Sequence, residues 1–289
     1  MSLEKLYQKH KVLAFSVAYK MLGSIQEAED IVQEVYVQLE KVDLTTVSEP
    51  KAYMMKMVVN RSLNHLQSAR HKREVYTGPW LPEPLIDIQN EPLNNLLREE
   101  SISYAFNVLL QTLTELERCV YILRESLVYD YATISIMLNR TEQSLRKVYS
   151  RANQKLKAAN KDMKFGSTDS ALATLFIEGA KDGDFEPFIE KLTDDVVLVT
   201  DGGGKVLAAL RPIYSKKKVS AFLQGIYQRG SFQGDFKMIY TNGEIGILQE
   251  VNGIPSKAIM FDHRETGIMY IYFMMNPNKL SKIGHKLSL

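Results

Sequence analysis

The residues best suited to chemistry in this sequence lie on one predicted helix, which begins after Thr141 and runs to Leu156. Four apolar positions at helical spacing predict its buried face, namely Leu145, Val148, Ala152 and Leu156. The other faces carry polar and cationic groups, which are Gln143, Ser144, Arg146, Lys147, Ser150, Arg151 and Gln154. Such side chains read base edges in the DNA major groove while their cations contact phosphates. The helix is therefore a candidate for DNA recognition.

A shorter helix in front of it completes a helix-turn-helix pattern. Asp130 is a suitable N-cap for a helix from Tyr131 to Leu138, and Thr141 can cap the second helix after the turn. Eight cations between positions 140 and 164 stand against Glu142 and Asp162; they are Arg140, Arg146, Lys147, Arg151, Lys155, Lys157, Lys161 and Lys164. This clustering is typical of a phosphate-binding surface. A basic helix is also an ordinary solvated face, and the pattern alone leaves both interpretations open.

An acidic face is predicted on a helix nearer the N-terminus, from Ile25 to Val42, which Ser24 can cap. Its exposed side carries Asp30, Gln33 and Glu34. A short acidic face of this kind suits a basic helical partner. Taken alone, the pattern favours the simpler interpretation, which is a solvated face.

Amide and cationic groups also follow one another on the next predicted helix, from Lys51 to Ser68. The candidates are Asn60, Arg61, Asn64 and His65, and a basic tail that includes Arg70, Lys72 and Arg73. With Tyr53 and Met57, this helix offers stacking surface beside phosphate contacts, which is what single-stranded DNA requires.

The stretch from Val75 to Pro92 is rich in proline and is predicted to form an extended linker without regular structure. It contains the segment YTGPWLPEPL with the only tryptophan of the chain, Trp80. A flexible tether seldom carries Trp, so we expect the segment to dock. A turn of three glycines between Asp201 and Lys205 lets another backbone approach closely, and we predict that the segment packs there.

The chain after Gly166 predicts an α+β unit. Helices are expected at 169–182, 185–192 and 215–227, with a strand at 196–200. The remainder alternates strands and turns, and the Asn-Gly pairs at 242–243 and 252–253 are strong hairpin signals. We expect helices covered by a curved antiparallel sheet.

Composition limits the function classes further. The chain has 289 residues, a net charge of +2 and a single cysteine, Cys119, which excludes a disulfide framework and fits a reducing cytosol. Without a signal peptide or a membrane-spanning run, we expect a soluble cytoplasmic protein with no membrane contact. No spacing indicates a metal site, a cofactor or a nucleophile with its base. The strongest catalytic candidates are Asp201, Asp262 and His263, a carboxylate and an imidazole able to shuttle a proton, but we expect no enzyme: Asp201 should accept backbone hydrogen bonds, and Asp262 to Arg264 should be solvated.

Several segments resemble one family of proteins. AEDIVQEVYVQL, PKAYMMKMVVNRSLNHLQSARHKR and LTELERCVYILRESLVYDYATISIMLNRTEQSLRKVYSRANQKL are similar to segments of bacterial extracytoplasmic-function (ECF) sigma factors. YTGPWLPEPL, residues 201–205 and residues 276–280 resemble the subgroup with a C-terminal SnoaL-like domain, which implies a cone-shaped α+β fold. Asn278 departs from that pattern, which has an acid there. The resemblance implies four parts: sigma region two at 1–74, a linker at 75–92, sigma region four at 93–164 and a SnoaL-like domain at 165–289.

The resemblance also implies partners and residue roles. Core RNA polymerase would bind Asp30, Gln33 and Glu34. The minus-ten element would meet Asn60, Arg61, Asn64, His65, Arg70, Lys72 and Arg73, and the minus-thirty-five element Thr141, Gln143, Ser144, Arg146, Lys147 and Arg151. Regulation between domains would use Trp80, Leu81, Pro82, Asp201, Gly202, Gly203, Gly204, Lys205, Asn276, Pro277, Lys279 and Leu280. Regulation by the third domain implies no separate anti-sigma factor. A small-molecule ligand of that domain, and a helix-turn-helix repressor with a ligand domain, remain as alternatives.

Overall fold

A computed structural model describes residues 2–74, 76–87, 102–159 and 170–283, apart from the side chains of residues 69–74 and 87. The chain begins with three helices, α1 (Leu3–Leu22), α2 (Ile25–Leu39) and α3 (Pro50–Glu74). Gly23 ends α1 in the left-handed region (φ 70°), and Ser24 caps α2 as predicted. The expected bounds were inexact, since α2 ends three residues before Val42 and α3 continues six residues beyond Ser68.

Four more helices follow: α4 (Tyr104–Leu110), α5 (Glu115–Glu125), α6 (Tyr131–Leu138) and α7 (Glu142–Ala159). The Asp130 carboxylate accepts a 2.7 Å bond from the Thr133 amide, and the Thr141 hydroxyl accepts a 3.3 Å bond from the Ser144 amide. Asn139 makes the turn between α6 and α7 in the left-handed conformation (φ 51°). The predicted helix-turn-helix is confirmed at both caps and at its turn.

A single hydrophobic core joins α1–α3 to the later helices. Buried side chains of α1 and α3, such as Phe15 and Val58, belong to the same cluster as Val120 of α5 and Ile134 of α6. The buried guanidinium of Arg118 donates to the carbonyl of Met21 at the end of α1. The two helical groups therefore pack against each other. None of the helices in the described ranges is both long and apolar enough to cross a bilayer.

The C-terminal part contains α8 (Ser170–Asp182), α9 (Glu186–Ile189), α10 (Lys216–Gln228) and α11 (Pro277–Leu280). Its strands are β2 (Leu192–Asp201), β3 (Ile213–Tyr214), β4 (Asp235–Thr241), β5 (Glu244–Val251), β6 (Ile254–Arg264) and β7 (Gly267–Met274). The α+β prediction is confirmed. Both predicted Asn-Gly turns connect antiparallel strands, with positive φ at each residue.

The sheet differs from the prediction in two respects. It is mixed, with the order β1-β4-β5-β6-β7-β2-β3, because β2 pairs parallel to β7. Its first strand, β1 (Ile86–Asp87), comes from the proline-rich segment that was predicted to lack regular structure. Ile86 and Asp87 pair with Thr241 and Tyr240 of β4. Local composition did not reveal this strand, because its partner lies about 150 residues away in the sequence.

The two faces of the sheet pack against different parts of the molecule. On one face, Phe176 of α8 contacts five phenylalanine rings at centroid distances of 5.1–6.0 Å, so aromatic side chains fill the interior of the cone. On the other face, Met260, Tyr272 and Met274 form a cluster with Leu81 of the linker and Tyr104 of α4. The second face therefore holds the C-terminal unit against the rest of the chain.

Candidate functional site

The predicted recognition helix, α7, presents its polar residues to solvent. Thr141, Gln143, Arg146, Lys147 and Arg151 are exposed, Ser144 is half-buried, and Leu145, Ala152 and Leu156 face the core. Among the described residues, Arg146 alone of these five exposed groups has an ion-pair partner: its Nη2 lies 3.2 Å from Glu142 Oε2. Its guanidinium also stacks 4.2 Å from the centre of the Tyr131 ring. Arg146 is thus pre-oriented on the surface, which lowers the entropy lost when it binds.

Asp30, Gln33 and Glu34 all lie on the exposed face of α2. The Glu34 carboxylate is paired with Arg61 of α3, and His65 Nε2 of α3 lies 3.1 Å from Glu27 Oε1. Groups that were predicted to serve two different partners are therefore in contact. Sequence reasoning did not predict this pairing, because it depends on how α2 packs beside α3.

The surface of α3 is partly covered. Asn64 is exposed, whereas Asn60, Arg61 and His65 are half-buried. The Asn60 side-chain amide lies 3.4 Å from the carbonyl of Met137 in α6, so the helix-turn-helix lies over this part of α3. The side chains of Arg70, Lys72 and Arg73 lie outside the described residues, although the helix itself continues to Glu74.

The linker segment docks on the glycine turn through a buried carboxylate, that of Asp201 at the end of β2. Its Oδ1 accepts bonds from the Tyr76 hydroxyl and from the Gly203 amide (3.0 Å). Its Oδ2 accepts bonds from the Leu81 amide (2.9 Å) and from Lys279 Nζ (2.8 Å). Because Asp201 is fully buried, these four donors replace the water that an ionised carboxylate would otherwise bind.

Lys279 of α11 closes the other side of this cluster. Its ammonium donates to the carbonyl of Leu81 and lies 4.2 Å from the centre of the Trp80 ring. Asn276 donates to the Tyr76 hydroxyl at 2.8 Å, and burial together with the bond to Asp201 raises the Tyr76 pKa well above its ordinary value. Tyr76 therefore stays protonated and can donate. We call Tyr76, Trp80, Leu81, Asp201, Asn276 and Lys279 the linker clamp.

Glycine is required in the turn at the centre of the linker clamp. Gly203 has φ 60°, and a Cβ there would lie 2.3 Å from the Asn276 amide nitrogen. At Gly204 (φ 70°), a Cβ would lie 3.0 Å from Thr77 of the linker. Lys205 is exposed and bonds to the Asn278 side chain at 2.7 Å. Asn278, where the sequence analysis expected an acid, thus gives Lys205 a neutral hydrogen-bond partner.

Glu83 was not singled out by sequence reasoning, although it connects the linker to α2. Its buried carboxylate accepts a 2.7 Å bond from the Ile25 amide and a 3.2 Å bond from the Ser24 hydroxyl, so it caps the first turn of α2. Its amide donates to the Gly23 carbonyl at 2.8 Å. An acid between two prolines in an otherwise apolar segment was the only available signal.

The linker also bonds to the sheet beyond Glu83. The backbone amide of Asn242 in the β4–β5 turn donates to the Leu85 carbonyl (2.9 Å), and the Asn242 side-chain oxygen accepts from the Leu85 amide (3.0 Å). Tyr104 of α4 donates to the Pro82 carbonyl at 2.9 Å. Residues 76–87 thus contact α1, α2, α4 and the sheet.

One partly buried acid lies at the contact between α4 and the sheet. The carboxyl group of Glu244 in β5 accepts a hydrogen bond from the Tyr104 amide. Burial first, and then the nearby carboxylate of Asp262, raise its pKa to about 7. Sequence reasoning missed this residue, because its burial depends on the packing of α4.

The chain is similar to known proteins over most of its length. The model of sigma-70 region 2 matches residues 6–72. The ECF RNA polymerase sigma factor SigJ of Mycobacterium tuberculosis (strain ATCC 25618 / H37Rv) is 30% identical over 281 residues, which cover 92% of this chain and 89% of SigJ. The chain belongs to the ECF RNA polymerase sigma factors. The crystal structure of SigJ superimposes with a TM-score of 0.78 at 25% identity, covering 98% of this chain and 99% of that one.

A more distant ECF relative matches a shorter part. The probable ECF RNA polymerase sigma factor SigI of the same organism is 22% identical over 193 residues, which cover 66% of this chain and 67% of SigI. The likeness to SigJ, in contrast, extends through the C-terminal unit. Both the helical part and the α+β part of this sigma factor are therefore shared with SigJ.

The catalytic candidates do not form one site in this sigma factor. Asp262 of β6 is in register with Tyr270 of β7, which is in register with Val197 of β2, whereas Asp201 is in register with Met274. The two carboxylates are therefore separated by four residues along the strand direction, which corresponds to about 13 Å. Both carboxylates lie on the linker-facing side of the sheet. The expectation that Asp262 and Arg264 are solvated was wrong: both are buried, with Arg264 Nη2 2.7 Å from Asp262 Oδ2. Their burial follows from the packing of α4 and the linker over this face.

Replacing Asp201 with Asn should loosen the linker clamp around Trp80. The neutral amide would leave the buried Lys279 ammonium without its anion, and removing one partner of such a pair costs about 3–5 kcal/mol. We expect the emission of Trp80, the only tryptophan, to shift to longer wavelength and to become more accessible to quenchers. The matched control is Asp195→Asn, an exposed acid on the same strand. Equal fluorescence in wild type and Asp201→Asn would contradict this assignment.

Proposed function

We propose that this sigma factor binds core RNA polymerase through the exposed face of α2 and reads promoter DNA through α3 and α7. We further propose that its C-terminal α+β unit regulates it in cis through the linker clamp. The observation that best supports this function is the likeness to SigJ over nearly the whole chain, together with the confirmed helix-turn-helix. Family membership supports a regulatory protein and not an enzyme.

Polymerase binding by α2 is supported by its exposed acids and by the position of Glu83, which caps the first turn of this helix. Asp30, Gln33 and Glu34 form a continuous polar face, and the Glu34–Arg61 pair is on the surface. Surface pairs of this kind contribute about 0–1 kcal/mol, so they can be exchanged for a partner's cations at little cost. The α2 face can therefore be offered to a basic helix of the polymerase.

The double variant Asp30→Ala/Glu34→Ala should lose affinity for core RNA polymerase while its thermal stability stays close to that of the wild type. Binding to labelled core enzyme and a melting curve measure the two effects. Glu4→Ala/Glu49→Ala removes the same charge from exposed positions outside α2 and serves as the control. Unfolding of the first variant, or undiminished binding, would show that the face is structural.

The assignment of α7 rests on its exposed basic face and on the free space around Lys147 and Arg151, which have no ion pair with any described residue. Arg146 differs from them because it is held by Glu142 and Tyr131. A held guanidinium suits a bidentate contact to guanine, whereas a mobile ammonium suits phosphate.

Arg146→Ala should lose about 1–3 kcal/mol of preference for the promoter sequence that the holoenzyme selects from a random pool. Lys147→Ala should weaken binding to selected and scrambled duplexes alike and should lower the salt dependence by about 0.9 in log–log slope. Equilibrium binding at several salt concentrations distinguishes the two effects. Unchanged binding in both variants would show that α7 does not contact the DNA.

The regulatory proposal starts from the closed arrangement of the chain. Asn60 of α3 is bonded to α6, and the helical groups share one core, so the DNA-facing residues of α3 are partly covered. The linker clamp holds the C-terminal unit against residues 76–81, while Glu83 continues the same segment to the first turn of α2. A partner that binds α2 and requires uncovered α3 must then work against this closure.

A further contact supports coupling between the C-terminal unit and α2. Lys282, just after α11, donates to the Gln26 side chain at 2.6 Å, and its ammonium lies 3.8 Å from Glu83 Oε1. Both Glu83 and Lys282 therefore meet at the N-terminal turn of α2. We infer that α2 is the place where polymerase binding and closure of the chain influence each other.

Gly203→Val should release the closed form, because its Cβ would strike Asn276 at a position with φ 60°. If closure lowers the competent fraction, the apparent affinity for core RNA polymerase should rise in this variant. Gly253→Val is the matched control: its φ is 75°, and its Cβ would meet nothing within 4 Å. An unchanged or lower affinity for Gly203→Val, relative to Gly253→Val, would refute inhibition by the C-terminal unit.

A further inference from the structure

Charge is segregated in the C-terminal unit. Residues 202–234 carry six cations and no acid; the cations are Lys205, Arg211, Lys216, Lys217, Lys218 and Arg229. Residues 170–201 carry the opposite sign, with two lysines against eight acids, namely Glu178, Asp182, Asp184, Glu186, Glu190, Asp194, Asp195 and Asp201. A strongly basic stretch inside a nearly neutral protein points to a local electrostatic role.

Only part of this stretch is available to a ligand. Lys216 donates to the carbonyls of Glu190 (3.4 Å) and Leu192 (3.2 Å), and Lys217 lines a groove with Glu186 and Asp194. The other three cations before Val219 differ. Among the described residues, Lys205 donates to the neutral side chain of Asn278, while Arg211 and Lys218 are exposed and have no ion pair.

Exposed apolar side chains are interleaved with these cations. Leu207 is 86% exposed, Leu210 66% and Tyr214 59%. Tyr214 lies on the edge strand β3, three residues after Arg211 and four before Lys218. Aromatic and apolar surface beside phosphate-binding cations is the combination that binds single-stranded nucleic acid. A duplex, which hides its base faces, would leave the apolar groups without contacts.

The first part of this segment, residues 204–210, lies beside the chain that follows α3. That helix ends at Glu74, and the chain reaches Thr77 and Gly78 three and four residues later. A Cβ on Gly204 would lie 3.0 Å from Thr77, and a Cβ on Gly78 would lie 3.7 Å from Leu210. Three to four residues span at most about 14 Å, so the basic loop follows directly on the basic tail of α3.

We propose that the exposed residues of the segment 205–218, namely Lys205, Leu207, Leu210, Arg211, Tyr214 and Lys218, bind single-stranded DNA. They would extend the DNA contact of α3 toward the strand that is separated when a promoter opens. This proposal rests on the proposed sigma function, but it concerns a contact that the helical part does not contain. The cations hold phosphates and Tyr214 stacks on a base.

The triple variant Lys205→Ala/Arg211→Ala/Lys218→Ala tests the phosphate contacts. The full chain without polymerase is titrated onto a fluorescent 20-residue oligodeoxythymidine between 50 and 200 mM salt. Each lost phosphate contact lowers the log–log salt slope by about 0.7, so the triple variant should lower it by about 2. Lys181→Ala/Lys191→Ala removes exposed cations from the acidic part of the same unit and should leave the slope unchanged.

Tyr214→Ala should weaken binding to the oligodeoxythymidine severalfold without changing the salt slope, because stacking carries no charge. An unchanged slope in the triple variant would overturn the proposal. A loss of core polymerase affinity at an unchanged DNA slope would also overturn it, and would assign the surface to a protein contact. The oligodeoxythymidine titrations are made without polymerase and with substitutions outside α2 and α7, so their failure is distinct from failure of the sigma assignment.

Discussion

The interdomain arrangement depends on one buried carboxylate. Asp201 is fully buried, and each of its oxygens accepts two hydrogen bonds, from Tyr76 and Gly203 on one side and from Leu81 and Lys279 on the other. Isolated burial of this charge would be prohibitive, so the ionised group requires all the segments that supply its donors. Two of those donors lie in the linker and one in α11. Folding of the glycine turn, docking of the linker and placement of α11 are thereby one event.

That constraint explains why a segment rich in proline is ordered between the other parts of the chain. Proline removes amide donors and keeps the segment extended, so its remaining amides and carbonyls must find partners outside the segment. The Leu81 amide donates to Asp201, and the Glu83 amide donates to the Gly23 carbonyl. Both the amide and the carbonyl of Leu85 bond to Asn242. A Cβ on Gly23 would lie 2.6 Å from the Trp80 ring, so α1 also has to end in glycine. The linker thus specifies the positions of its neighbours.

The sequence predicted the features that local chemistry determines. The caps of α6 and α7, the two Asn-Gly hairpins and the acidic face of α2 required only spacing and side-chain type. The contact between the linker and the glycine turn is the exception, because it joins residues 120 positions apart and was predicted from a Trp in a proline-rich segment and a run of glycines. The features that it did not predict all depend on distant partners. These are strand β1, the parallel pairing of β2 with β7, the buried pair of Asp262 and Arg264, and the cap that Glu83 places on α2. Burial of a charge becomes visible only when the second surface that covers it is known.

Some of the proposed recognition groups contact one another in the free chain. Glu34 on the face proposed for polymerase pairs with Arg61 on the helix proposed for DNA, and Asn60 of that helix bonds to the helix-turn-helix. These contacts are individually weak, since one is a surface pair and the other a 3.4 Å hydrogen bond. The stronger buried interactions lie in the linker clamp and in the shared hydrophobic core. A partner that separates the recognition groups therefore meets little resistance from the groups themselves, and the free energy of opening is set by the clamp and by the core.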